Sequence, residues 1–166
     1  MSGFPYELAF ATLLAATGVA GIVLAAYAGH GHPQRRATRP LVVALVVAVA
    51  VWSAGVLFMT LRPGTGTGQL VNLAPLTFQG PASVIDAVLN VGVFVPLGVL
   101  LAAARLRLLP TLLSGLLLSA GIELSQYLAQ VGRTADINDV ITNTTGTVLG
   151  WGLGAAIVHI RRRVDG

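Results

Sequence analysis

The sequence predicts an all-α fold: a polytopic membrane helix bundle of about five transmembrane helices, with the N-terminus outside and the C-terminus cytoplasmic. Three observations predict it. Ten basic and six acidic residues are set against 55% hydrophobic residues in 166, whereas a soluble domain carries about 25% charged residues. Five apolar stretches each have the roughly 20 residues needed to cross about 30 Å of hydrocarbon. The basic residues, all arginine, are distributed unevenly between the links.

In order, Leu8–Ala28 and Leu41–Leu61 are uncharged runs of spanning length. Val84–Ala104 is apolar apart from Asp86 and Asn90. Leu108–Val131 contains Glu123 and Gln126, and Ile137–Ile160 carries Asn138, Asp139 and Asn143 near its start. Residues 1–166 read as a single membrane domain. With five spans, Arg35, Arg36, Arg39, Arg105, Arg107, Arg161, Arg162 and Arg163 fall on one side and only Arg62 and Arg133 on the other. Positively charged loops stay cytoplasmic, which sets the orientation. The pI near 10.7 is therefore a topology signal and no nucleic-acid partner is expected; membrane lipids are.

Ala26-Tyr27-Ala28 resembles a signal-peptide cleavage site, but the preceding residues lack a basic region and include Glu7, so an uncleaved helix is expected. Between the second and third spans, residues 63–68 read as a flexible Gly/Thr loop. Residues 72–78 are apolar and broken by Pro75, suiting an interfacial or re-entrant piece. Pro96 and Gly98 predict a kink that opens room beside the third span. Gly146, Gly150 and Gly154 form a small-residue face that lets helices approach closely, within the chain or in a homodimer. No internal repeat is evident.

Polar groups within a membrane are expensive and mark function by default. At about 100° per residue, Asp86 and Asn90 share a face, as do Glu123 and Gln126; Asp136, Asp139 and Asn143 form a stripe. Glu123 lies eight residues before Val131, about 12 Å below the outer boundary. Arg133 is the cation nearest to these groups in sequence. The eight residues Asp86, Asn90, Glu123, Gln126, Arg133, Asp136, Asp139 and Asn143 are the candidate ligand-binding set. Plainer roles exist: Asp136 and Asp139 suit a helix start, Asn90 and Asn143 suit bridges between helices, and Arg133 suits an exposed ion pair.

Several chemistries are excluded. There is no cysteine and no lysine, which removes disulfides, thiolate catalysis and a phosphate loop ending in lysine. His30, His32 and His159 lie at the cytoplasmic end, a bilayer away from the acids, so a Ser-His-Asp triad cannot form. The acids are of the type that holds a hard cation, yet no metal site or cofactor is assigned.

The run Val71-Asn72-Leu73-Ala74-Pro75-Leu76, then Asp86-x-x-x-Asn90 leading into Phe94-Val95-Pro96-Leu97-Gly98, resembles the VanZ-like membrane protein family. So does Glu123-Leu124-Ser125-Gln126 followed by Gly132-Arg133-x-x-Asp136-x-x-Asp139-x-x-x-Asn143-x-x-Gly146-x-x-x-Gly150. The resemblance covers about residues 70–154. It implies a small multi-pass protein of the bacterial plasma membrane, related to one linked with low-level resistance to teicoplanin, a lipoglycopeptide that acts outside the membrane. It supplies no reaction.

The leading expectation is a protein whose outer polar pocket binds a lipid-linked cell-wall precursor or the lipoglycopeptide. The alternatives are an enzyme acting on an envelope lipid, with Glu123 or Asp139 as general base, and a proton-coupled carrier using Glu123.

Overall fold

In the computed structural model, residues 6–30, 38–63, 70–78, 80–130 and 132–164 are described. His32, Arg35, Arg36, residues 64–68 and Asp165 lie outside them. The chain forms α1 (Tyr6–Gly29), α2 (Arg39–Thr60), β1 (Val71–Asn72), α3 (Pro81–Ala103), α4 (Leu108–Ala129), β2 (Ala135–Asp136) and α5 (Ile137–Val164). Proline at the first turn starts α2 and α3, where its missing N–H costs nothing and its fixed φ suits a helix. Gln130, in the left-handed conformation, ends α4.

The four helices α1 to α4 are long and apolar enough to cross a membrane. α5 has 28 residues, about 42 Å at 1.5 Å per residue, but is less apolar. It nevertheless runs through the depth of the bundle. Gly146 lies against Val91, Gly150 against Val95 and Gly154 against Val99, so α5 is parallel to α3. Gly18 and Gly21 lie against Pro96 and Val99, making α1 parallel to α3 as well. α4 is antiparallel to α5: Ser119 meets Asn143, and Gly115 meets Thr147 one turn deeper. Odd and even helices therefore alternate in direction, as five crossings require.

α5 is tolerated because its polar face meets protein. Asn138, Thr142, Asn143 and Thr147 are buried, and each threonine hydroxyl donates to a carbonyl four residues back, Thr142 to Asn138 and Thr147 to Asn143. Large apolar side chains are instead exposed around the outside, among them Val19, Val46, Val88, Leu117 and Leu149. Such a surface would drive aggregation in water and is what a lipid-facing surface needs.

The glycines of α5 pack against α3 of the same chain, the close approach within the chain that the sequence allows. One feature differs from the sequence expectation: the Pro96–Gly98 stretch does not open room beside α5. A methyl group at Gly98 would overlap the Thr147 carbonyl oxygen, and one at Gly146 or Gly150 would overlap the carbonyl oxygen of Val91 or Val95. The two backbones touch, and glycine is what permits it. On the other side of α3, the Val93 carbonyl accepts the Trp52 indole N–H at 2.9 Å. Trp52, fully buried, packs edge-on against Phe94 with centroids 5.2 Å apart. Toward the other end, Ala25, Ala28, Leu41, Leu45, Val99, Leu100, Ala103 and Val158 form a second apolar cluster. The Ala26–Ala28 stretch is helical, with Ala28 buried in this cluster.

Charges sort to the two ends of the bundle. Gly29 lies against Arg161, and Arg105 donates to the Ala28 carbonyl at 2.9 Å, defining an arginine end. Glu123, Asp136 and Asp139 lie at the opposite, acidic end, where Arg62 stacks over Tyr6, 4.5 Å from the ring centroid.

Gly150→Ala forces α3 and α5 apart and should destabilise the bundle by about 1–3 kcal/mol, the usual cost of overpacking. Gly152, on the same helix, has open space where a methyl would stand, so Gly152→Ala should be neutral or stabilising by up to about 1 kcal/mol. Thermal unfolding in detergent separates the two; equal melting temperatures would contradict the α3–α5 contact.

Candidate functional site at the acidic end

The acidic end is organised around Asp136. The turn between α4 and α5 is extended for two residues, and it pairs in parallel with the segment before α3, Val71 opposite Ala135 and Asn72 opposite Asp136. Ala135 N–H donates to the Leu70 carbonyl at 3.0 Å. Every polar arm of Asp136 described is engaged. Its backbone N–H donates to Glu123 Oε2 at 2.8 Å. Its Oδ1 accepts the Asn138 backbone N–H at 2.8 Å and Asn138 Nδ2 at 2.9 Å, and its Oδ2 accepts Asn72 Nδ2 at 3.0 Å. The bond to the N–H two residues on is that of a helix N-cap, so the plainer reading of Asp136 holds alongside its place in the network.

Asn138 reaches outward from the first turn of α5. Its Nδ2 donates to the Ala74 carbonyl at 3.1 Å, and its Oδ1 accepts the Leu76 N–H. The 70–78 segment is thereby tied across the acidic end, with Leu73, Leu76 and Phe78 exposed. The segment lies across the end of the bundle rather than dipping between the helices.

A second layer lies deeper. Asn90 Nδ2 on α3 donates to Asp139 Oδ1 on α5 at 2.8 Å. Asn143 Nδ2 donates to Ser119 Oγ on α4 at 2.9 Å. Both amides therefore bridge helices. The Asn143 Oδ1, in a residue only 5% exposed, has no hydrogen-bond partner, an uncommon state for a buried acceptor. Gln126 is buried elsewhere: its side-chain amide Nε2 donates to the Thr60 carbonyl at 2.8 Å and closes the end of α2.

Of the eight sequence candidates, Glu123 and Asp136 join directly, as do Asn90 and Asp139; Asn143 joins through Ser119. Gln126 makes a separate contact. Asp86 and Arg133 are exposed at the rim, and both are within coulombic range of half-buried Asp139. Sequence reasoning missed Asn72, Ser119 and Asn138 as members. Asn138 was readable as an amide at the head of a span, whereas Asn72 and Ser119 are single polar residues whose partners are distant in the chain. Among the described residues no group of three or more His, Cys, Asp or Glu side chains is arranged to hold a metal ion, because amides and backbone N–H groups surround the carboxylates.

Asn138→Ala strips partners from Leu76 N–H and the Ala74 carbonyl. Amide hydrogen exchange at Leu76 and Ala135 should accelerate by about tenfold or more, from the 1–3 kcal/mol that an unmade buried hydrogen bond costs, while amides in the middle of α3 are unchanged. Unaltered exchange at Leu76 would show that Asn138 does not hold the segment.

The family model described as VanZ/LLP1 matches residues 38–158, from the start of α2 to the last turns of α5, and so includes every candidate residue. Protein VanZ of Enterococcus faecium is 38% identical over 97 residues, 56% of this chain and 58% of that protein. The aligned chain thus spans less than two thirds of that relative's length. No solved structure matches the chain. With the family model covering most of its length, this membrane protein belongs to the VanZ/LLP1 family.

Proposed function

We propose that the acidic end faces outward from a bacterial plasma membrane and binds an amphiphilic envelope ligand, a lipid-linked cell-wall precursor or a lipoglycopeptide, contributing to teicoplanin resistance. One observation carries this reading: two exposed charges of opposite sign, Asp86 and Arg133, lie within coulombic range of half-buried Asp139 at the end of an apolar bundle. Arg133 suits a phosphate or carboxylate, which a guanidinium binds in bidentate fashion. Asp86 and Asp139 suit amine and hydroxyl donors of a sugar or peptide. The unpartnered Asn143 Oδ1 adds an acceptor that the protein leaves unsatisfied. Exposed Leu73, Leu76 and Phe78 at the rim offer an apolar bed for an acyl chain. Membership of the VanZ/LLP1 family supports the link to resistance.

Within the site, Glu123 and Asp139 have different parts. Glu123 holds the α4–α5 turn through the Asp136 N–H and so positions the cluster. Asp139 is half-buried where Glu123 is buried, and it is within coulombic range of the rim charges, which makes it the carboxylate for ligand contact.

The orientation is tested by labelling from outside. The chain has no cysteine, so single Leu73→Cys and Arg163→Cys variants report on the two ends. A membrane-impermeant maleimide added to intact cells should label the first and spare the second; the reverse pattern overturns the orientation.

Binding is tested by resistance. In a susceptible host expressing the chain, Arg133→Ala and Asp139→Asn should each return the teicoplanin inhibitory concentration to the vector level, with unchanged amounts of protein in the membrane. Resistance retained in full by both variants rules out this site.

A further inference from the structure

At the opposite end of the bundle is a cavity of about 280 Å³, lined by Ala102, Arg105, Leu106, Trp151, Ala155, Val158, His159 and Arg162. Its size is near the lower end of ordinary ligand pockets. The wall is apolar and the polar lining is cationic or imidazole, with no acidic side chain among the described lining residues. Arg105 projects from a position after α3 that has a left-handed φ of 61°, where glycine is usual. Its guanidinium is fixed by donation to the Ala28 carbonyl. Trp151 is fixed on the other wall, its indole N–H donating to the Leu106 carbonyl at 2.9 Å. Arg162 Nε is buried and has no hydrogen-bond partner.

A buried arginine donor without an acceptor is costly, and a cationic cavity in a low-dielectric setting is costlier without a counter-charge. The favourable interaction of basic side chains with the last turn of α5 accounts for Arg161 and Arg163, both exposed. It does not account for an Arg162 donor turned inward. On this side the sequence places one acid, Asp165, against eight arginines, too few acids to neutralise the end.

We propose that this cavity is a binding site for the phosphate of an anionic phospholipid headgroup in the membrane leaflet at the arginine end. Arg162 and Arg105 meet the phosphate oxygens, and the indole of Trp151 lies at the level of the headgroup, where tryptophan is favoured. The apolar wall of Ala102, Leu106, Ala155 and Val158 leads toward the acyl chains. Basic pockets between helices are the usual form of such recognition. A lipid is favoured over free phosphate because half of the lining is hydrocarbon, which a free ion would leave unused.

The test uses the full chain in nanodiscs of phosphatidylcholine with increasing phosphatidylglycerol carrying brominated acyl chains, read by quenching of tryptophan fluorescence. A Trp151→Phe variant identifies the quenched signal, since Trp52 is fully buried in the bundle. Phosphatidylglycerol should quench Trp151 more than brominated phosphatidylcholine does at equal mole fraction. Arg162→Gln should weaken the phosphatidylglycerol preference by about tenfold or more, the worth of a charge-assisted hydrogen bond. Arg163→Gln, an equal charge change at an exposed position, should alter it by less than about twofold. Melting temperatures in phosphatidylcholine alone should be the same for both variants. Equal losses for Arg162→Gln and Arg163→Gln overturn the site in favour of diffuse surface attraction. Displacement by millimolar inorganic phosphate, with no preference between the two lipids, overturns the lipid in favour of the free ion.

Discussion

The backbone contact between α3 and α5 is the constraint on which the rest of the molecule depends. Gly98 on one helix and Gly146, Gly150 and Gly154 on the other remove the side chains that would separate them. Close approach gives van der Waals packing where the hydrophobic effect between helices is absent. It also encloses α5, whose amides and threonines could not face lipid tails. α1 and α4 complete that enclosure on other sides. The polar content of α5 and the glycine content of the α3–α5 contact are thus two parts of one solution.

With α5 held, its first turn becomes a fixed platform at the acidic end. Asp136 caps it and receives the β1 segment through Asn72, while Asn138 ties down the residues that follow. Glu123 reaches across from α4 to the same turn. Carboxylates in a low-dielectric region are expensive unless they are hydrogen-bonded, and these are bonded by groups that also close the fold. Stability and site geometry are consequently difficult to separate at Glu123 and Asp136, whereas Arg133 and Asp86, exposed at the rim, carry charge without a comparable structural load.

Much of the fold was legible because a bilayer forces each span to appear as a long apolar run. The first four helices satisfy that demand individually, and their limits in the structure fall within a few residues of the sequence reading. α5 was legible as a fifth run of spanning length whose count agrees with the arginine sorting, and the structure supplies the parallel α3–α5 register. The polar cluster of the candidate site was legible at Glu123, Asp139, Asn90 and Asn143 because polar groups stand out against hydrocarbon. Ser119 and Asn72 did not stand out, since a lone hydroxyl or loop amide gains meaning only from a partner 24 or 64 residues away. The direction of the small-residue face was likewise hidden. A glycine repeat signals close approach, but says nothing about which helix approaches.

The parallel pairing of Val71–Asn72 with Ala135–Asp136 has a consequence for biogenesis. The two partners are separated by α3 and α4, so the pair cannot close while either helix is still being synthesised. Asn138 and α5 emerge later still. The least apolar helix therefore enters last, when α3 already presents Gly98 and α4 already presents Ser119. Its insertion is an act of docking into a waiting groove, in which the protein itself replaces lipid as the solvent for α5.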